Sequence, residues 1–419
     1  MSTNKKIVFI IIILAVIGGI WYLESLKVHP TASGQRGQVI DVSSLLANVT
    51  STSAFAATGT NAGAIDTTNI APATQPVTQL SNNEKAAIAQ LAMADKAAGD
   101  QPAIEIADPT GFINVAPGFK LSSIIGQKVI LLDFWTYSCI NCVRTIPYLN
   151  AWYQKYASSG LEIVGIHTPE FDFEKNITNV QNAVAEYGIH YPVILDNNQG
   201  TWNAYNNLYW PHEYLIDMAG YIVHDQVGEG YYDETEADIQ KLLAQRAQIL
   251  GTSAVVIPTS TVNIAPANLN EIQSPETYFG AERNALLANG TTLTNGDQSL
   301  TAPAASTVQL NQLYLGGTWD FEDQYATNLN AGATITYEYN AGNVYMVAAG
   351  AANGTVVEVM QDGQPISAAD AGSDVHNGTI VISGNRLYNL IKNADGGGEH
   401  TLQLIVETPG LQAFTFTFG

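Results

Sequence analysis

Phe134-Trp135-Thr136-Tyr137-Ser138-Cys139-Ile140-Asn141-Cys142 contains both cysteines of a 419-residue chain. With no thiol elsewhere, all the thiol chemistry of the sequence lies at one point. The run just before it, 129–134, is apolar except for Asp133, as in a strand buried on both faces. After it, Tyr148, Leu149 and Trp152 continue a helix that starts at the cysteines. A strand therefore hands over to a helix there, and the unpaired N–H groups and dipole of a helix N-terminus stabilise a thiolate. Cys-x-x-Cys spacing lets one thiolate attack a substrate disulfide while the second resolves the mixed disulfide. A structural zinc site would need two further ligands, and no second cysteine pair exists. A purely structural bridge would close too small a loop to stabilise much. The pattern predicts Cys139 as the attacking nucleophile and Cys142 as the resolving thiol, with no metal and no cofactor beyond a redox-active Cys139–Cys142 disulfide.

Strand–helix alternation continues outward from the motif. A second buried strand is expected over 161–166. A helix with Ile177, Val180, Val184 and Tyr187 on one face follows and stops at Gly188. A third strand is expected over 191–195, a hairpin over 214–217 and 221–224, and a closing helix over 233–245. Together these predict one α/β domain over 103–250.

The flanks read differently. Lys5 and Lys6 precede an apolar run over 7–23 closed by Trp21 and Tyr22. At 1.5 Å per residue it reaches about 25 Å, enough for a short membrane span, and the lysines would stay cytoplasmic. Residues 1–32 thus read as an N-terminal transmembrane helix, with a cleaved signal as the alternative. The rest of the chain would then face the periplasm or cell exterior. Residues 33–102 are rich in Ala, Thr, Ser, Asn and Gly and read as a tether. Within it, a short helix over 82–98 opens on a capping box at Ser81 and Glu84 and stops at Gly99. Residues 251–307 read as a second linker. Over 308–419 at least six short strands alternate with Gly- and Asp-rich turns, predicting an all-β, jelly-roll-like sandwich. The net charge of −22 lacks the basic footprint of a nucleic-acid binder.

Cys139 follows Asp133 by six residues, and Pro147 follows Cys142 by five. These offsets and the Asp133-Phe134-Trp135 lead-in resemble the thioredoxin family. That resemblance implies that Asp133 exchanges protons with Cys142, where burial among apolar residues would raise its pKa toward neutrality. It also implies a cis Trp210–Pro211 bond facing the cysteines, with the backbone of Trp210 pairing with the substrate chain, and a bend in the first helix at Pro147. The cysteine motif with Trp135, His167-Thr168-Pro169-Glu170-Phe171, Trp210-Pro211-His212-Glu213-Tyr214-Leu215-Ile216-Asp217 and Gly228-Glu229-Gly230 look like the extracytoplasmic part of the DipZ proteins, relatives of the TlpA and ResA group. The likeness extends through Ser274-Pro275-Glu276-Thr277-Tyr278-Phe279-Gly280 and Gly372-Ser373-Asp374-Val375-His376-Asn377-Gly378 to the C-terminus, covering 103–419. It implies thiol–disulfide exchange and a C-terminal domain similar to carbohydrate-binding modules. DipZ proteins also carry a CcdA-like membrane domain, which this sequence replaces by one apolar segment and a tether. The implied partners are exported cysteine-containing proteins, a separate membrane electron donor such as a CcdA-like protein, and a cell-wall glycan. His167 and Glu170 belong to the shared motifs as supporting residues, His167 either tuning the thiolate or holding its loop by hydrogen bonds.

Two other functions fit parts of the sequence. Thr136 lies three residues before Cys139, as in a peroxidase of the peroxiredoxin type, although Leu132 stands where the loop proline of such enzymes is expected. Alternatively, the sandwich is the functional part, a surface glycan-binding protein with an accessory redox domain. Trp319, Tyr314 and Tyr325 could stack on sugar there, although aromatic residues in a sandwich more often form its core.

Overall fold

The computed structural model describes residues 37–41, 79–252, 262, 264 and 272–419. The apolar run over 7–23 lies outside the described residues. Among those described, no helix is long and apolar enough to cross a membrane.

A capping box starts the first described helix, α1 (Asn82–Ala98): the Ser81 N–H donates to Glu84 Oε2 at 2.6 Å, and the Glu84 N–H donates to Ser81 Oγ at 3.3 Å. Gly99, at φ 95°, ends it in the left-handed conformation that favours glycine. The α/β domain is built on one sheet of seven strands: β1 (Gln101–Pro102), β2 (Gly111–Ile113), β3 (Val129–Trp135), β4 (Leu161–His167), β5 (Val193–Leu195), β6 (His212–Ile216) and β7 (Tyr221–Val227). Their spatial order is β1-β7-β6-β3-β4-β5-β2. β3, β4 and β5 run parallel through crossovers containing α2 (Ile140–Tyr156) and α3 (Ile177–Glu186), while β6 lies antiparallel to β3. The short α4 (Gly200–Ala204) precedes β6, and α5 (Tyr232–Ile249) closes the domain.

Every residue of β3 is buried. Val129, Leu131 and Trp135 face a core shared with Ile146, Leu149 and Trp152 of α2 and Ile239 and Leu243 of α5. Ile130, Leu132 and Phe134 face a second core with Ile88 of α1 and Trp202 of α4. The apolar run without alternation is therefore a strand covered on both sides. Several elements depart from their expected bounds. The hairpin strands are longer, starting at His212 and reaching Val227, and α5 runs on to Ile249. Near its end Arg246 donates from Nε to the Gln127 carbonyl at 2.5 Å and from Nη1 to the Ser159 carbonyl at 2.9 Å. Ile177, expected on the apolar face of α3, is 39% exposed, while Val180, Ala183 and Val184 are buried.

The C-terminal body is all β. Its strands are β8 (Thr277–Tyr278), β9 (Gly296–Leu300), β10 (Leu313–Phe321), β11 (Ala326–Asn328), β12 (Ala333–Asn340), β13 (Asn343–Ala349), β14 (Thr355–Gln361), β15 (Gln364–Pro365), β16 (Thr379–Ile382), β17 (Arg386–Lys392), β18 (Glu399–Val406) and β19 (Gln412–Phe418). β10 serves two halves. Residues 313–316 pair with β12, in the run β15-β14-β18-β12-β10, and residues 317–321 pair with β9. The run continues through β11-β19-β13-β17 on the other side. Both halves bury one core, with Leu315, Ile335, Val359 and Leu404 packed in the same cluster as Met346, Tyr388 and Phe416. β8 and β9 fall inside 251–307, the span that reads as a linker. From residue 272 onward that span is built into the all-β body, where Thr277 and Phe279 are buried and the Phe279 N–H donates to the Phe414 carbonyl at 2.9 Å, whereas Val262 and Ile264 pack on the α/β core. The alternating half-buried and exposed positions of β9, all polar until Leu300, explain why its composition resembles a loop.

The two bodies touch beside the cysteine loop. Phe171 and Phe173 pack edge-on against Phe414 at ring separations of 5.1 and 4.9 Å, with Val347 and Ala349 in the same cluster. Phe414→Ala should cost about 3–5 kcal/mol, as for other buried aromatic truncations. Chemical denaturation of the full chain would measure it, and a cost near zero would mean that the cluster holds nothing together.

Candidate active site

Cys139 is the N-cap of α2, and its carbonyl accepts from the Val143 N–H at 3.0 Å. Its side chain is part-exposed, and Sγ lies 4.0 Å from the Trp210 carbonyl oxygen. The Trp210–Pro211 peptide bond is cis. Trp210 is held in place by its indole N–H, which donates to the Thr168 carbonyl at 3.1 Å, and by Trp202, whose ring centroid is 4.2 Å away. The backbone that precedes the proline is thus fixed directly opposite the accessible thiol. Both cysteines are unbridged.

Cys142 lies one turn into α2 and is buried. Burial pushes its thiol well above the usual range, and negative charge on Cys139 or Asp133 pushes the same way. Asp133, at the centre of β3, is 1% exposed, and burial pushes its carboxyl up to about 8. The carboxyl therefore gains and loses its proton in the pH range where thiol exchange operates. Trp135 is fully buried in the core under α2. Pro147 is exposed on α2, which runs continuously through it.

The structure separates the remaining expected residues from the thiols. His167 is completely buried, and burial lowers its pKa to about 3. It is neutral and cannot tune a thiolate by charge. Its Nε2 lies 3.5 Å from Thr136 Oγ1, and the rings of Trp135 and Tyr137 pack against it at 5.1 and 5.7 Å. Glu170 does not reach the thiols either. Its carboxylate accepts from Arg283 at 2.7 Å and from the Tyr278 hydroxyl at 3.0 Å, joining the α/β domain to the all-β body. Trp319 and Tyr314 are buried, so they offer no sugar-stacking face.

Three residues escaped the sequence reading. Glu174 is buried under the cysteine loop and accepts from Ser138 Oγ at 2.5 Å and from the N–H groups of Glu170 and Phe171 at 2.6 and 2.9 Å. It joins the cysteine loop to the loop that carries Glu170. Arg144 donates to both carboxylate oxygens of Glu229, at 2.8 and 2.5 Å, and to Asn141 Oδ1 at 2.7 Å. Its fork fixes the residue between the cysteines against the Gly228-Glu229-Gly230 turn. Glu213 lies beside Asp133 on β6, 2% exposed. Each of these carboxylates sits among apolar or motif residues, and only the three-dimensional register reveals its partners.

Comparison with known proteins agrees with this geometry. Residues 118–243 match the Redoxin family, and residues 274–419 match the family described as "Thioredoxin like C-terminal domain". Over 317 residues the chain is 38% identical to Protein DipZ of Mycobacterium tuberculosis, covering 74% of this chain and 42% of DipZ. Over 136 residues it is 30% identical to the thiol-disulfide oxidoreductase ResA of Bacillus anthracis, covering 30% of this chain and 76% of ResA. The chain belongs to the thioredoxin-like family of DipZ and ResA. It spans less than half the length of DipZ. A thiol:disulfide interchange protein of Chlorobium tepidum is similar in structure, at 23% identity and a TM-score of 0.30 over 34% of this chain and 97% of that one.

In this DipZ- and ResA-like site the buried acid has a stability signature. A carboxyl whose pKa is raised by folding favours the folded state fully below its unfolded value near 4, and that contribution is lost as pH rises through about 8. Asp133→Asn cannot ionise. It should melt with the wild type at pH 4 and roughly 10 °C or more above it at pH 9. Thermal melts across that range check this, and a constant offset at every pH would contradict a buried ionisation.

Proposed function

We propose that the chain is an extracytoplasmic, membrane-tethered thiol–disulfide oxidoreductase that acts through the Cys139–Cys142 pair. The observation that carries this reading is the pairing of an accessible helix-capping thiol, 4.0 Å from the backbone before a cis-proline, with a buried thiol one turn further on. In the reductive direction the Cys139 thiolate attacks a substrate disulfide, and one substrate sulfur leaves with the electron pair. Cys142 gives its proton to ionised Asp133 and attacks Cys139 Sγ. The Cys139–Cys142 bond forms, and the second substrate sulfur leaves as a thiolate. The extended backbone of the substrate pairs with Trp210 in this scheme. Glu174 and Arg144 hold the cysteine loop still while the sulfurs exchange.

By family likeness the substrates are exported proteins with cysteines, and the electrons come from a separate membrane donor such as a CcdA-like protein. Reduction or relay is the favoured direction. The all-β body would hold the redox domain near the cell envelope, with a cell-wall glycan as the candidate ligand. The peroxidase reading is weaker, because the Thr136 hydroxyl faces His167 and Glu174.

Cys139→Ser should abolish insulin-disulfide reduction by the pre-reduced protein, while Cys142→Ser should accumulate a mixed disulfide visible on a non-reducing gel. Asp133→Asn should slow the resolving step about 100-fold at pH 8. Full activity of Cys139→Ser would sink the assignment, and rapid thiol-dependent peroxide consumption would favour the peroxidase.

A further inference from the structure

β3 and β6 place two carboxylic acids side by side in the core behind Cys142. Asp133 and Glu213 are direct partners in the antiparallel register, so their side chains project to the same face. That face also carries Leu131, Trp135 and Leu215, which share a core with Cys142. On its other flank Asp133 meets no side chain at all, because its partner on β4 is Gly165. A Cβ there would meet Trp135 Nε1 at 2.8 Å and the Tyr191 ring at 3.4 Å. Glu213 is therefore the lateral neighbour of Asp133 in the sheet.

The pair differs from the buried carboxylates that hold structure elsewhere in this domain. Asp196 accepts from the N–H groups of Thr201 and Trp202 and from the Thr168 hydroxyl. Glu174 has three donors of its own. Asp133 Oδ1 and Glu213 Oε2 are buried with no hydrogen-bond partner among the described residues, and so is the Tyr191 hydroxyl. Asp95 and Asp217 also have unsatisfied oxygens, but they bond to each other. A structural role for Glu213 would be served better by an apolar side chain like its neighbour Leu215.

The groups that face the pair are Cys142 of α2, Tyr191 before β5 and Tyr232 at the start of α5. His167 on β4 is neutral. No Lys, Arg or His charge acts on either carboxyl among the described residues. Two like charges this close in a dry site cannot both form.

We propose that Glu213 is a positioning residue that shares one proton with Asp133, so that the two carboxyls serve Cys142 as a single coupled acid–base pair. When the mixed disulfide resolves, ionised Asp133 takes the Cys142 proton while Glu213 keeps the proton of the pair, the new bond forms to Cys139 Sγ, and the substrate sulfur leaves with its electron pair. In the reverse step the pair returns the proton to the Cys142 thiolate. Glu213 acts through Asp133: while Glu213 is charged, Asp133 keeps its proton, and while Glu213 is neutral, Asp133 is free to ionise. Burial and the charge on Asp133 both push the Glu213 carboxyl upward, in keeping with this coupling.

The proposal rests on the thiol–disulfide exchange reading, yet its test does not depend on turnover. In the reduced full chain with 13C-labelled Asp and Glu carboxyls, Asp133 and Glu213 should each titrate in two steps with shared midpoints. In Glu213→Gln the Asp133 signal should collapse to one step, displaced downward by about one pH unit or more. The pH profile for release of a preformed mixed disulfide should move with it, and Glu213→Asp should restore two steps. A single, independent Asp133 step in the wild type would overturn the proposal, as would superimposable profiles for wild type and Glu213→Gln. If neither variant folds, the wild-type titration alone decides. Loss of the exchange reading would show instead as activity that survives in Cys139→Ser, with the carboxyl titration untouched.

Discussion

The site depends on the burial of β3 on both faces with an acid at its centre. A strand in that position has its side chains enclosed on both faces, so Asp133 is held in the core, where burial disfavours its charge. The same strand ends at Trp135 and delivers Cys139 to the N-cap of α2 a few residues later. One element thus sets both ends of the chemistry. It presents an accessible sulfur to the Trp210 backbone and keeps a proton acceptor behind the second sulfur.

The loops around this strand are fixed by polar contacts. Ser138, Glu174 and Glu170 form a chain of contacts from the cysteine loop to Arg283 of the all-β body, and Arg144 joins the residue between the cysteines to Glu229. The Tyr137 hydroxyl donates to the Asn385 carbonyl at 3.1 Å, so the cysteine loop itself touches the C-terminal body. The all-β body is in this sense part of the frame of the site. Movement between the two bodies would act on the residues that flank Cys139.

Much of this was legible in the sequence because it is local. Cys139, Cys142 and Asp133 lie within ten consecutive residues whose apolar pattern demands a strand followed by a helix, whereas the Trp210-Pro211 turn was placed through the resemblance to the thioredoxin family. Contacts between distant segments were not legible. Glu213 reads as an ordinary polar residue of a hairpin until β6 is placed in register with β3, and Glu174 looks like a surface residue until the loop over 170–175 folds under Ser138. His167 read as either tuning the thiolate by charge or holding its loop by hydrogen bonds; enclosure by two aromatic rings leaves it neutral, beside the Thr136 hydroxyl of that loop. In the all-β body, Gly316 and Gly317 interrupt the alternation of β10, which hid the strand that joins the two halves, and the polar composition of β9 resembled a linker.

The most direct test of the account is an equilibrium titration of the full chain against glutathione redox buffers, with the thiol state read by alkylation and mass. The account predicts one reversible two-electron transition between the dithiol and the Cys139–Cys142 disulfide, with a tenfold change in the ratio for about 30 mV and a midpoint between about −120 and −270 mV. A pair that stays wholly reduced or wholly bridged across the range, or that exchanges as two separate thiols, would contradict it.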